Sequence, residues 1–172
     1  PRPALDGPYS EDGRTVYRIQ VDSRGRQVVV HATDLATGMQ RKVGEAALPW
    51  VPDGPRGLVP GGRYLHCGTV LLDRESLRLV SSKPLRGWNV QRMVFSHDGA
   101  RYAVAAERYV NAEGGDRDER VVTIHETLTG RIVAVLPTLS RQVLLMAFSP
   151  NGQRLILALE NNELQGWSLP GP

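Results

Sequence analysis

The sequence predicts an all-β protein in which short antiparallel strands form repeated four-stranded sheets. A turn phrase ending in glycine recurs four times, and each copy is followed by an apolar run of four or five residues, as is typical of strands buried on both faces. The turn glycines are Gly13, Gly62, Gly99 and Gly152. They recur at intervals of 37 to 53 residues, close to the roughly 40 to 45 residues of a β-propeller blade. The predicted fold is therefore a β-propeller of about four blades.

Each repeat begins with the turn phrase and the strand that follows it. The four turns are Tyr9–Gly13, Val59–Gly62, Phe95–Gly99 and Phe148–Gly152. Their Asp-Gly, Gly-Gly and Asn-Gly pairs predict tight two-residue hairpins, because Gly, Asn and Asp tolerate positive φ. The strands that follow are Thr15–Ile19, Tyr64–Cys67, Tyr102–Ala106 and Leu155–Leu159.

A third strand, a second turn and an outgoing strand complete each predicted unit. The third strands are Val28–His31, Val70–Leu72, Val121–Ile124 and Leu164–Trp167. The outgoing strand is clearest at Arg131–Leu136, after the turn at Thr129-Gly130. The units cover residues 5–43, 57–82, 90–137 and 143–170 of one domain spanning 1–172. A β-sandwich or barrel also uses many short strands, but a fixed strand order at a near-fixed period favours a propeller.

The turn phrase resembles that of the WD-repeat β-propellers, in which an aromatic residue and Ser-Pro-Asp-Gly precede a strand. Phe148–Gly152 and Phe95–Gly99 match it closely, whereas Val59–Gly62 is degenerate. The Gly-His pair ahead of each family repeat is missing. The Trp-Asp pair of the family falls at Thr33-Asp34, Leu72-Asp73, His125-Glu126 and Trp167-Ser168. The resemblance implies a propeller with degenerate repeats of the bacterial type.

The fourth repeat reaches its third strand at Trp167 and has no outer strand before Pro172. Members of this family often complete the last blade with an N-terminal strand, but Pro1–Leu5 contains two prolines, which cannot donate to a strand ladder. Four repeats are also fewer than the seven common in the family. We therefore expect a segment of a larger propeller, covered by the remainder of that propeller or a protein partner, with self-association through open blade edges.

Composition argues against several classes of partner. The net charge is +3 and the 19 arginines are scattered, with Lys42 and Lys83 as the only lysines and 6% aromatic residues. A nucleic-acid surface needs a clustered basic face with stacking aromatics, so we expect none. No apolar run reaches the length of a membrane span. Cys67 is the only cysteine, and no leader is visible, so a buried thiol and a cytoplasmic location are expected.

No catalytic, cofactor-binding or metal-binding constellation stands out. His97-Asp98 is interpreted as part of an exposed turn, and His125 as a packed strand residue. Neither a Gly-x-Ser-x-Gly elbow nor a phosphate-binding loop occurs. A metal-dependent propeller hydrolase would need converging carboxylates, but the candidates have no shared spacing: Asp6, Glu107, Glu160 and Glu163. The sequence therefore predicts that the chain is not an enzyme.

Two segments are the candidates for partner contact. Arg108–Arg120 has mixed charges and a Gly-Gly pair, which predict a mobile, exposed excursion. Glu45–Gly57 carries an aromatic residue between prolines, a rigid anchor of the kind found at interfaces. The candidate contact residues are Trp50, Arg108, Tyr109, Asp116, Arg117 and Arg120. The predicted function is a non-catalytic protein–protein interaction scaffold; the alternatives are a sensor propeller appended to a signalling enzyme and the metal-dependent hydrolase.

Overall fold

The structure, a computed structural model, describes residues 7–22, 26–48, 55–82, 85, 87–110, 117–136 and 141–170. Every regular element within these residues is a β-strand, and the fourteen strands form four antiparallel sheets. No helix capable of crossing a membrane is found in this described part of the chain. The all-β prediction is confirmed.

The strands follow the chain order within each sheet. Sheet I contains β1 to β3, which span Thr15–Val21, Gln27–Asp34 and Gln40–Ala47. Sheet II contains β4 to β7, which span Arg56–Leu58, Tyr64–Cys67, Val70–Asp73 and Leu79–Ser82. Sheet III contains β8 to β11, which span Asn89–Phe95, Arg101–Val110, Arg117–Glu126 and Ile132–Val135. Sheet IV contains β12 to β14, which span Val143–Phe148, Arg154–Leu159 and Leu164–Ser168.

Two of the four sheets depart from the predicted four strands. Sheets II and III have four, whereas sheets I and IV have three among the described residues. In sheet I the position before β1 is marked only by an isolated bridge between Tyr9 and Val16. In sheet IV the described strands are β12, β13 and β14, in that order.

The recurring turn phrase folds into a four-residue loop, so the predicted two-residue hairpin is wrong. In the third repeat the Ser96 N–H bonds the Arg101 carbonyl at 2.9 Å, which closes the loop around the four residues between them. Asp98 Oδ1 accepts from the Ser96 hydroxyl at 2.6 Å and from the Ala100 N–H at 3.0 Å. These side-chain bonds satisfy the donors of a longer loop. The same contacts recur around Ser10 and Ser149.

The second turn delivers the outer strand of sheets I to III. An acidic residue at the end of the third strand accepts from a hydroxyl three residues later: Asp34 from Thr37, Asp73 from Ser76, and Glu126 from Thr129, at 2.7 to 2.9 Å. The next residue has positive φ in each case, at Gly38, Leu77 and Gly130. These bonds reverse the chain so that β3, β7 and β11 pair with the strands before them.

The chain divides into two compact units, 1–52 with 56–82 and 53–55 with 83–172. In the first unit, sheets I and II contribute to one buried apolar cluster that includes Val28, Val30, Leu65 and Leu72. Cys67 belongs to this cluster, and burial raises the pKa of its thiol to about 11, as expected of an inert thiol. In the second unit, sheets III and IV share a cluster that includes Ile124, Leu155 and Leu157.

Candidate functional site

The segment predicted to be an excursion is mostly a regular hairpin. β9 and β10 pair through ten consecutive positions, from Arg101 opposite Glu126 to Val110 opposite Arg117. Residues 108–110 and 117–120 therefore belong to strands, and only residues 111–116 of the segment lie outside the described residues. The prediction of a mobile loop from 108 to 120 is wrong over these strand positions.

Oppositely charged side chains face one another across this hairpin. Arg108 lies opposite Glu119 and contacts its carboxylate at 2.7 Å. Arg120 lies opposite Glu107, with 3.6 Å between Nε and the carboxylate, and also contacts Asp118 at 3.0 Å. Opposite charges in such cross-strand pairs contribute about 0.2 to 1 kcal/mol each. The charges that suggested a solvated loop thus stabilise the paired strands.

Two neighbours from β8 and the segment before it hold these side chains in place. The guanidinium carbon of Arg108 lies 4.6 Å from the ring centroid of Trp88, within the range of a cation–π contact. Gln91 donates to the Glu107 carboxylate at 2.7 Å. Arg108 is therefore held between an aromatic face and a carboxylate, so less side-chain entropy is lost if a partner binds it.

Tyr109 is the exposed aromatic residue of this surface. It lies opposite Asp118 in the hairpin, and 63% of its surface is accessible to solvent. Its backbone is fixed by strand pairing, so the ring projects from a rigid element. We call Arg108, Tyr109, Asp118, Glu119 and Arg120 the hairpin surface. Tyr109, Asp118 and Arg120 lie on one face of the hairpin, and Arg108 and Glu119 lie on the other.

The structure brings together only part of the predicted contact set. Arg108, Tyr109 and Arg120 lie on the hairpin surface. The backbone of Arg117 pairs with that of Val110. Trp50 and Asp116 lie outside the described residues. Sequence reasoning missed the contributions of Trp88, Gln91, Asp118 and Glu119, although one signal was available. Glu107-Arg108 and Glu119-Arg120 are identical dipeptides that become complementary only in antiparallel register.

One small cavity lies beside the hairpin. A cavity of about 10 Å³, enough for roughly one water molecule, is lined by residues that include Glu107, Arg120 and Gln142. Among the described residues no three His, Cys, Asp or Glu side chains lie close enough together to hold a metal ion. Asp6, one of the carboxylates considered for a metal site, lies outside those residues.

His125 is a buried polar residue of sheet III. Its ring stacks on Tyr102 at a centroid distance of 4.7 Å. Nδ1 lies 3.2 Å from the Gly130 carbonyl and Nε2 lies 2.8 Å from the Thr123 hydroxyl. A carbonyl can only accept, so Nδ1 carries the proton and Nε2 accepts from Thr123. Burial lowers the pKa of His125, in keeping with a neutral, packed ring.

We expect this histidine to make stability depend on pH. Because its pKa is lower in the folded chain, the unfolded chain binds the proton more readily below the ordinary value of 6.5. The contribution of His125 is fully present above that pH and is lost as the pH falls from there to the folded-state pKa. Thermal melting across this range checks the prediction: His125→Gln should flatten the profile, and His97→Gln in an exposed turn should not. Parallel profiles for all three proteins would contradict it.

Comparison with known proteins shows the fold. No protein-family model matches the chain, and no curated protein has a significantly similar sequence. Among solved structures, this chain resembles Kuenenia stuttgartiensis hydrazine synthase. The match covers 94% of this chain and 51% of the hydrazine synthase chain, with 18% sequence identity and a TM-score of 0.66. The chain also resembles the Cps50 (Swd1) β-propeller domain of Myceliophteria thermophila. That match covers 95% of this chain and 51% of the Cps50 chain, with 14% sequence identity and a TM-score of 0.57.

A third similar structure is dihydro-heme d1 dehydrogenase NirN in complex with DHE. The match covers 89% of this chain and 34% of the dehydrogenase chain, with 15% sequence identity and a TM-score of 0.52. This chain therefore spans about half the length, or less, of the solved structures that it resembles. The predicted fold class, a segment of a β-propeller, is confirmed, since a propeller domain aligns with nearly all of the chain.

The prediction that the chain is not an enzyme is contradicted. Two of the similar structures, hydrazine synthase and dihydro-heme d1 dehydrogenase, are named as enzymes. The prediction used the lack of a catalytic motif and the family resemblance, and neither separates a scaffold from a propeller within an enzyme. At 15 to 18% identity these matches show the fold and assign no activity to this chain.

Proposed function

We propose that this chain is a segment of a degenerate WD-type propeller, built from units 5–43, 57–82, 90–137 and 143–170, that acts as a protein-interaction scaffold. The hairpin surface is its contact site. The observation that carries the proposal is the exposed ring of Tyr109 on a hairpin fixed by two cross-strand ion pairs.

The geometry of the hairpin surface suits a protein better than a small ligand. Aromatic residues and arginines dominate the binding energy of protein interfaces, where they fill pockets on the partner. Tyr109 shares one face of the hairpin with Asp118 and Arg120. Arg108 lies on the other face, where Trp88 and Glu119 hold it in place. The expected partner presents a pocket for the Tyr109 ring, with polar groups of both signs around it to match Glu107, Asp118 and Arg120.

The scaffold can be one part of a larger protein. The Cps50 domain is named as a β-propeller domain, and hydrazine synthase is named as an enzyme. A scaffold surface is compatible with either setting, since loops and strand ends of a rigid propeller carry contacts while its core serves packing. The partner is either a separate protein or the remainder of the same propeller.

Replacing Tyr109 by alanine is expected to abolish partner capture without unfolding the chain. The loss of an aromatic interface anchor typically costs about 2 kcal/mol or more of binding free energy, which is roughly 30-fold in affinity. Tyr9→Ala is the matched control, because Tyr9 is also largely exposed, at 57%. Affinity capture followed by mass spectrometry should recover the same proteins with the parent chain and Tyr9→Ala, and lose them with Tyr109→Ala. Recovery of the same proteins with both variants would refute the proposal.

A further inference from the structure

We propose that Asn151 is a site of spontaneous deamidation, and that the turn phrase of the fourth repeat accepts the aspartate that forms there. The chain contains five asparagines, and Asn151 alone is followed by glycine. Glycine has no side chain to shield its backbone nitrogen, which is the atom that attacks the asparagine carboxamide. The inference concerns residues outside the hairpin surface and does not rest on the proposed function.

The reaction needs no reagent other than water. The Gly152 nitrogen loses its proton and attacks Asn151 Cγ, so that a C–N bond forms, the bond from Cγ to Nδ2 breaks, and ammonia leaves with that proton. Water then opens the cyclic imide. Cleavage between Cγ and the Gly152 nitrogen gives aspartate, whereas cleavage between the Asn151 backbone carbonyl carbon and that nitrogen gives isoaspartate, whose backbone is longer by one methylene. Either way asparagine and water become an acid and ammonia.

The carboxamide of Asn151 is open to water but held by the turn. Asn151 is exposed. Its Oδ1 accepts from the Ser149 hydroxyl at 2.7 Å and from the Gln153 N–H at 3.2 Å. The Gly152 N–H donates to the Ser149 carbonyl at 2.8 Å. Because that bond must break before the nitrogen attacks, the folded turn slows the reaction, and each local opening of the turn permits it.

Two other repeats show that the aspartate product fits this turn. Asp12 and Asp98 occupy the position of Asn151, two residues after a serine and directly before a glycine. Each carboxylate accepts from that serine hydroxyl at 2.6 Å and from the backbone N–H two residues later at 3.0 Å. Asn151 Oδ1 accepts the same two bonds. An aspartate at 151 would keep both contacts, and its negative charge would strengthen them.

The same comparison explains why Asn151 is the reactive member of the three turns. The three glycines share a φ of 66° to 68°, and the N–H of each donates to the serine carbonyl. Asp12 and Asp98 also precede glycine, but an ionised carboxylate offers no neutral leaving group. The serine hydroxyls hold the pKa of both carboxyls below the usual value, so both stay ionised at neutral pH. Only the amide at 151 can release ammonia.

Ageing the folded 172-residue chain in heavy-oxygen water at neutral pH tests the inference. Each asparagine that converts during the incubation takes up one heavy oxygen, which distinguishes it from damage during preparation. Proteolytic mapping by mass spectrometry, with digestion in ordinary water, then gives the rate at each site. Asn161 and Asn162 are the matched controls, because they are also exposed in a turn of sheet IV but are not followed by glycine.

The expected result has three parts. Asn151 converts faster than Asn161 and Asn162. Ser149→Ala, which removes a hydrogen bond that holds the carboxamide, speeds conversion at Asn151 roughly fivefold. The chain with Asn151→Asp melts at the temperature of the parent chain or above it at neutral pH.

Equal rates at all three asparagines would overturn the inference, as would an Asn151 that converts in the denatured chain but not in the folded one. These rates come from the parent chain, so they decide even if Ser149→Ala fails to fold. An unchanged rate in a folded Ser149→Ala chain would contradict the role of turn opening. A melting temperature of Asn151→Asp well below that of the parent chain would show that the turn rejects aspartate.

Discussion

Leu157→Ala is expected to destabilise the second unit by about 3 kcal/mol, within the range for truncating a fully buried leucine. Leu157 has no solvent-accessible surface and lies in the cluster shared by sheets III and IV. Removing its side chain leaves a cavity that strands on either side cannot fill. Denaturant unfolding measures the change as a lower midpoint with an unchanged slope.

The neighbouring residue supplies a control for this substitution. Ile156 lies on the opposite face of β13 and is 44% exposed. Ile156→Ala should therefore cost less than about 1 kcal/mol, since it removes a side chain that is already in contact with water. A larger loss for Ile156→Ala than for Leu157→Ala would mean that the register of β13 is shifted by one residue, which exchanges the two faces.

Gly152→Val should destabilise the chain by about 2 kcal/mol or more, through backbone strain. Gly152 has a φ of +67°, a left-handed conformation that costs an L-residue about 1 to 2 kcal/mol, and more for a β-branched one. Space is not the limitation, because a Cβ would meet only the Ser96 Cβ at an ordinary 3.8 Å. Thermal melting should show a lower midpoint for the variant.

Gly152→Asn tests whether backbone strain, and not the mere loss of glycine, lowers the melting temperature of the valine variant. Asparagine tolerates left-handed φ much better than valine does, so its melting temperature should lie close to that of the parent chain. If valine and asparagine proved equally harmful, or equally harmless, the loop at Gly152 would not have the conformation described.

The repeats could be predicted from sequence because their signals are local. Serine, aspartate and glycine occur within four residues of one another at Ser96, Asp98 and Gly99, and the strand follows at once. Even so, the loop length was wrong, since the dipeptide pattern does not show that the Ser96 and Asp98 side chains close a longer loop. The second turn was likewise visible in the sequence, at Thr129-Gly130.

The hairpin surface was only partly predictable because it depends on contacts across strands. Composition alone makes residues 108–120 look like a solvated loop, and the charges of Arg108 and Glu119 become favourable only when antiparallel pairing places them together. The contact between Arg108 and Trp88 joins residues twenty positions apart, which no local pattern specifies.

The wrong prediction about enzymes has a different origin. The absence of a catalytic motif was a statement about these 172 residues, but the structures that resemble this chain include proteins named as enzymes. Fold and local motifs constrain the architecture, whereas activity belongs to sites that other parts of a protein can supply.

Hydrogen exchange at the tip of the hairpin tests most directly whether the proposed contact surface is preformed. The Thr127 N–H donates to the Ala100 carbonyl, so alternation along the ladder makes Arg108 and Glu119 a hydrogen-bonded pair. The amides of Arg108 and Glu119 should therefore exchange much more slowly than those of an unstructured peptide, in the chain without any partner. Exchange of both amides at the unstructured rate would mean that this segment is a mobile loop, and the hairpin surface would not exist before binding.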